Sequence, residues 1–249
     1  MEEFVRYADR KRLQYITKVL GEKLPAGSEV LDVGCGNGVI SRKLGTLGFR
    51  VKGVDVSERA IEKAKSLNQS PLVNFEVKSA EQIVADGQRY HAVICSEVLE
   101  HLNRPQDLLK VVRQLLTDDG VLIVTVPNGK GPRERFVTRP VINMQKKNNW
   151  VWRFVKGVKK LFGYSGTTVQ SDADDLTHIQ FFTHQSLRAL ASDTGYSVNH
   201  LGKTNFVEDV FPFSLLSRKI VALQKMDCAI AEQLPLGWTG GFVSVWKKA

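Results

Sequence analysis

The 249-residue chain is 43% apolar and 24% charged, a balance that suits one large folded α/β domain and excludes a disordered or fibrous protein. No apolar run reaches the ~18 residues of a membrane span, and "MEEFVRYADRK" has no signal-peptide apolar region, so the expectation is a cytoplasmic protein. The net charge of +9 sits in one place: residues 129–170 hold ten Lys and Arg against Glu134 alone, a field suited to an anionic partner. The three cysteines (Cys35, Cys95, Cys228) are scattered and read as reduced thiols, not as a disulfide framework or structural zinc site.

Residues 8–21 carry Leu13, Ile16, Val19 and Leu20 at helical spacing, with Gly21 as a stop. "EVLDVG" (29–34) is a short buried strand running into a glycine cluster, and "GVISRKLGTLG" resumes helical spacing. "RVKGVDV" (50–56) is a second strand, and Ser57 caps the helix of "SERAIEKAKSL". "VNFEVK", "HAVICS" and "GVLIVTV" are further strands, and "RPQDLLKVVRQLLTDDG" is an amphipathic helix expected to end at Gly120. This alternation predicts a doubly wound, mostly parallel sheet. Residues 129–176 then form a basic insertion without strand rhythm, embedded in a single 1–249 domain. Thr183 caps the helix "HQSLRALASDTG", and "YSVNHLGKT" and "GGFVSVWKK" are two last strands flanking a helix within 213–233.

Two places carry chemistry. The first is "LDVGCGNG", a glycine loop at a strand-to-helix junction with Asp32 before it and Asp55 closing the next strand, where a carboxylate can accept from both hydroxyls of a ribose. The glycines at 34, 36 and 38 depart from the G-x-G-x-x-G of a pyrophosphate site, and an acidic residue ahead of the loop suits a cationic amino-acid ligand. The second is "SEVLEH" (96–101). If it begins a helical turn, Glu97, Glu100 and His101 share a face at i, i+3 and i+4. Three readings stay open: His101 as a base near neutrality, an oxygen and nitrogen set for Mg²⁺ or Mn²⁺, or polar residues that only start a helix.

"LDVGCGNG", "VKGVDVS", "KSAEQI", "HAVICSEVLEHL" and "DGVLIVTVPN", taken in order over residues 28–128, resemble the successive motifs of class I S-adenosylmethionine-dependent methyltransferases. The resemblance implies a seven-stranded, mostly parallel Rossmann-like sheet, with the basic segment as a lid. It also implies that Asp32 and the loop Gly34, Cys35, Gly36 and Gly38 face the methionine end of S-adenosyl-L-methionine. Asp55 would hold the ribose and Val56 the adenine, with Ser79 and Ala80 at the adenine edge, where many relatives carry Asp. Ser96 and Glu97 would lie beside the methyl group.

"EVLEH" is similar to two O-methylating groups, the ubiquinone-pathway O-methyltransferases and the small-RNA 3′-terminal 2′-O-methyltransferases. The second adds a later histidine, in a place comparable to His178, so the implied cation set is Glu97, Glu100, His101 and His178. The implied acceptor is a hydroxyl of a small, hydrophobic or lipid-linked molecule, such as a prenylated phenol or a glycan. RNA, or cofactor binding without turnover, is the alternative. In "NNWVWRFVKGVKKLFG", residues 150–162 alternate apolar and basic groups as an active-site lid or as a helix lying peripherally on the inner membrane surface. His91, His184 and His200 carry no expected role.

Overall fold

The structure is a computed structural model and describes residues 6–138, 179–208, 210, 213–217 and 220–249. Helix α1 spans Tyr7–Lys23, and then strand and helix alternate: β1 Glu29–Val33, α2 Val39–Thr46, β2 Arg50–Asp55, α3 Glu58–Leu67, β3 Val73–Val77, α4 Ala80–Val84 and β4 Tyr90–Ser96. After α5 (Pro105–Leu115) and β5 (Leu116–Pro127) come α6 (His184–Asp193), β6 (Tyr196–Lys203), α7 (Phe213–Ser217), α8 (Val221–Gln233) and β7 (Gly241–Lys248). The seven strands lie in the order β3-β2-β1-β4-β5-β7-β6, with β7 antiparallel to both neighbours and the other pairings parallel. The expected seven-stranded, doubly wound sheet is the observed one.

Strand alternation decides which residues meet. Leu31, Val33, Val93, Cys95, Leu122 and Val124 pack on one face beneath α5 and α6, where Leu109, Val112 and Leu187 bury against them. Val30, Ala92, Ile94 and Ile123 face the other way, toward Ile16 and Leu20 of α1 and Ile40 and Leu44 of α2. By the same parity Asp32, Ser96 and Thr125 belong to the face covered by α1 and α2.

The expected helix through Gly120 ends early. It stops at Leu115, and β5 begins at Leu116. Tyr90 pairs with Leu116 while Ala92 pairs with Val121, so residues 117–120 bulge out of the ladder. Burial of Leu116 and its carbonyl's 2.8 Å bond from Lys248 Nζ fix the strand start ahead of the glycine. The other strands fall where the hydrophobic spacing places them, while α4 has no counterpart among the expected elements and the one helix expected within 213–233 is two, α7 and α8. Of the insertion, the described part ends in a π-helical turn, Glu134–Thr138, and residues 139–178 lie outside the described residues.

Candidate active site

The carboxyl ends of β1, β2 and β4 open into a cavity of about 280 Å³ lined by Gly34, Asp55, Val56, Ser79, Ala80 and Val98, among others. Open α/β sheets bind ligands at this edge. Gly34 shapes the cavity wall: its φ is +68°, and a Cβ there would stand 2.6 Å from Val98 Cγ2. Gly38, with φ +76°, starts α2 where a Cβ would collide with the Phe75 ring. Asp55 ties the loop to its strand, accepting 2.9 Å bonds from the backbone N–H groups of Gly36 and Ser57. Val56 is an apolar side chain left 75% exposed at the cavity, a surface waiting for a flat apolar group.

Of the expected cofactor residues, Gly34, Asp55, Val56, Ser79 and Ala80 line this cavity, and Asp32, Cys35, Gly36, Gly38, Ser96 and Glu97 do not. The Asp32 carboxyl lies buried beneath α2 and accepts a 2.6 Å bond from Ser41 Oγ. Burial pushes its pKa up to about 7, with the Ser41 hydrogen bond opposing and the Asp55 charge adding to the rise. Cys35 is buried too, and burial raises its thiol far above the ordinary range.

"SEVLEH" does not form the expected helical face. Glu97 takes φ +57°, the one non-glycine residue with positive φ among those described, and Leu99–His101 is a single 3-10 turn. The Glu97 side chain is held by Thr125 and Arg12. Its Oε1 accepts a 3.0 Å bond from Thr125 Oγ1 and stands 3.0 Å from Arg12 Nη1 in an ion pair outside hydrogen-bond geometry. Thr125 Oγ1 also lies 3.0 Å from Ser96 Oγ, and the Glu97 N–H donates to the Thr125 carbonyl at 3.0 Å.

Glu100 is buried, and neither carboxyl oxygen has a hydrogen-bond partner among the described residues. Burial, and then the neighbouring Glu97 charge, push its pKa up to about 9. At neutral pH it therefore stands 3.8 Å from His101 Nε2 as a protonated carboxyl rather than an anion.

Glu97, Glu100 and His101, the described members of the expected cation set, do not come together as one. No group of three His, Cys, Asp or Glu placed to hold a metal occurs among the described residues, because Glu97 is turned to Arg12 and Thr125. His178 lies outside the described residues, as does the 150–162 segment. The described residues thus do not fit Mg²⁺ or Mn²⁺. The idle histidines have local partners: His91 Nδ1 accepts from the Glu29 N–H at 3.1 Å, and His200 Nδ1 lies 2.6 Å from Tyr15 Oη.

Arg12 and Thr125 were not foreseen as site residues. Arg12 looks in sequence like one more charge on an amphipathic helix, and only the folded chain brings it to Glu97. Thr125 carries a faint signal, a lone hydroxyl within the apolar run "VLIVTV".

The profile of the family described as "Methyltransferase domain" matches residues 2–201. The chain belongs to that family. Ubiquinone biosynthesis O-methyltransferase from Coxiella burnetii is 38% identical over 119 residues, covering 47% of this chain and 50% of that one. The mitochondrial ubiquinone biosynthesis O-methyltransferase of Schizosaccharomyces pombe is 29% identical over 175 residues, covering 59% and 64%. The methyltransferase-family chain thus spans about half to two thirds of the length of these curated relatives.

Among solved structures, the magnesium protoporphyrin IX methyltransferase of Synechocystis PCC 6803, with SAH bound, superposes with a TM-score of 0.57 at 17% identity, over 98% of this chain and 84% of that one. The 1,6-didemethyltoxoflavin-N1-methyltransferase of Burkholderia thailandensis gives 0.58 at 16% identity, over 98% and 80%. At such identities the likeness establishes the shared fold. One of these neighbours is named for methylation at nitrogen, so the acceptor has to be argued from this chain's own residues.

Proposed function

We propose that the protein transfers the methyl group of S-adenosyl-L-methionine to a hydroxyl of a small, hydrophobic or lipid-linked acceptor. The observation that carries this reading is the position of the Glu97–His101 turn, which follows β4 directly and shares Val98 with the wall of the Gly34–Asp55 cavity. In that cavity Asp55 would accept from the ribose hydroxyls, with the adenine against Val56 between Ser79 and Ala80. Asp32, one layer below, would act on the amino-acid end through Ser41 and the loop. A cationic ligand above it would draw its carboxyl toward the ionised form.

In the transfer, the acceptor oxygen attacks the methyl carbon in line with the departing sulfur. The C–O bond forms as the C–S bond breaks, and the sulfonium leaves as a neutral thioether that needs no acid. The hydroxyl proton goes to His101, whose neighbour Glu100 is protonated at neutral pH and so leaves the imidazole without an adjacent carboxylate anion. Ser96 and Glu97, held from below by the buried Thr125, would form the polar rim that orients the hydroxyl. With Glu97 turned to Arg12, this route asks for no cation.

Support for the lipid-linked class comes from the ubiquinone-pathway relatives and from the aromatic and basic pattern of residues 150–162, which would rest on an anionic membrane surface. No helix among the described residues is long and apolar enough to cross a membrane. The test is incubation with trideuteromethyl S-adenosylmethionine and a prenylated dihydroxyphenol, followed by mass spectrometry. A labelled aryl ether is expected. Label at a ring carbon, or methylation of RNA offered in the same reaction with the phenol untouched, contradicts the reading.

A further inference from the structure

Arg12 joins α1 to the end of β4. It is 6% exposed, and its guanidinium is shared between Asp9, three residues back on the same helix, and Glu97. Asp9 is itself held by Arg6, through bonds of 2.9 Å from both Nε and Nη2. The polar chain Arg6–Asp9–Arg12–Glu97–Thr125–Ser96 therefore runs from the helix to the ends of two central strands. Arg12 also lines a second cavity of about 250 Å³ between α1 and β6–β7, with Tyr15, His200 and Lys203.

Glu97 needs such an anchor. A left-handed backbone at a non-glycine residue persists only where its surroundings over-determine it. Thr125 fixes the Glu97 backbone N–H and one carboxylate oxygen, and Arg12 supplies the charge. We propose that Arg12 is a positioning residue of the transfer site, holding Glu97 in place. This rests on the hydroxyl-methylating reading for its chemistry but not for its geometry. The guanidinium keeps its charge despite burial, which opposes it, because Glu97 and Asp9 outweigh that cost.

The test uses the full chain as R12M, R12K, E97Q and the double variant R12M/E97Q. S-adenosylhomocysteine calorimetry and amide exchange at 97–101 need no acceptor, and initial rates use the prenylated dihydroxyphenol. R12M is expected to bind S-adenosylhomocysteine like the parent, to exchange about tenfold faster at 97–101, and to lose kcat by a similar factor. R12K is expected to restore most of both, and R12M is expected to add nothing further once Glu97 is already Gln. Unchanged exchange in R12M, equal damage in R12K, additive effects in the double variant, or cofactor affinity falling in step with turnover overturns the proposal. If the parent leaves the phenol untouched, the acceptor reading fails, while the exchange and calorimetry still decide the role of Arg12.

Discussion

His101 and Glu100 lie 3.8 Å apart at the end of a strand, yet their burial differs: the Glu100 side chain is 1% exposed and that of His101 is 18%. The imidazole keeps a partly exposed edge, whereas the carboxyl is sealed against water and keeps its proton. H101A is expected to lower kcat by roughly 100-fold or more while leaving S-adenosylhomocysteine affinity intact, read by initial rates beside calorimetry. Exhaustive chelation is expected to leave the rate unchanged, and a rate restored only by Mg²⁺ or Mn²⁺ would sink the direct proton route.

Asp32 and Glu100 both have raised values, about 7 and about 9, against ordinary values of 3.8 and 4.5. The folded chain thus binds more protons than the unfolded chain across those windows. The contribution of each group is full below its unfolded value and lost as pH rises through its folded value. Denaturant unfolding of the ligand-free protein should show stability falling with rising pH, by up to about 1.4 kcal/mol per pH unit for each group. E100Q should flatten that fall above about pH 7, where Asp32 has finished titrating. The identities of these residues stand in the sequence, but their charge states do not, because desolvation depends on which helix covers them.

At the scale of elements, the glycine loop and the turn after β4 are one construction. Gly34 takes φ +68° and stands so close to Val98 that a methyl group has no space, so loop and turn pack as a pair. G34A forces both a strained backbone and a displaced Val98, at a cost on the order of 1–3 kcal/mol. Loss of S-adenosylhomocysteine binding exceeding the loss in melting temperature is the expected signature, and unchanged affinity contradicts the assignment of this loop to the cofactor.

The alternating strands and helices through residue 126 were legible because buried parallel strands leave apolar runs of four to six residues bounded by glycine and charge. Two local features were not. The α5–β5 junction hides inside one continuous apolar spacing, "LLKVVRQLL", where helix and strand periods cannot be separated. The left-handed step at Glu97 has no sequence marker either, since a glutamate there reads as ordinary helix. There the Arg12–Glu97–Thr125 contacts stand in place of the expected helical face.

Over the whole molecule, the sheet order brings four segments far apart in the chain to one edge: α1, the glycine loop, the 96–101 turn and the end of β5. The motifs announced the middle two, whereas α1 joined the site through topology alone. The focused charge of 129–170 belongs to this scale as well. The intact protein is expected to pellet with liposomes containing anionic lipid and to be released by high salt, while failure of the intact chain to associate removes the membrane-surface part of the reading.

The central claim is that cofactor and acceptor meet at the ends of β1, β2 and β4. A crystal structure with S-adenosylhomocysteine tests it most directly. The adenine is expected against Val56, the ribose hydroxyls on Asp55, and the sulfur turned toward Ser96, Glu97 and His101, with space for a methyl group between sulfur and imidazole. Density for the ligand in the cavity between α1 and β6–β7, or a sulfur turned away from the 96–101 turn, would contradict it.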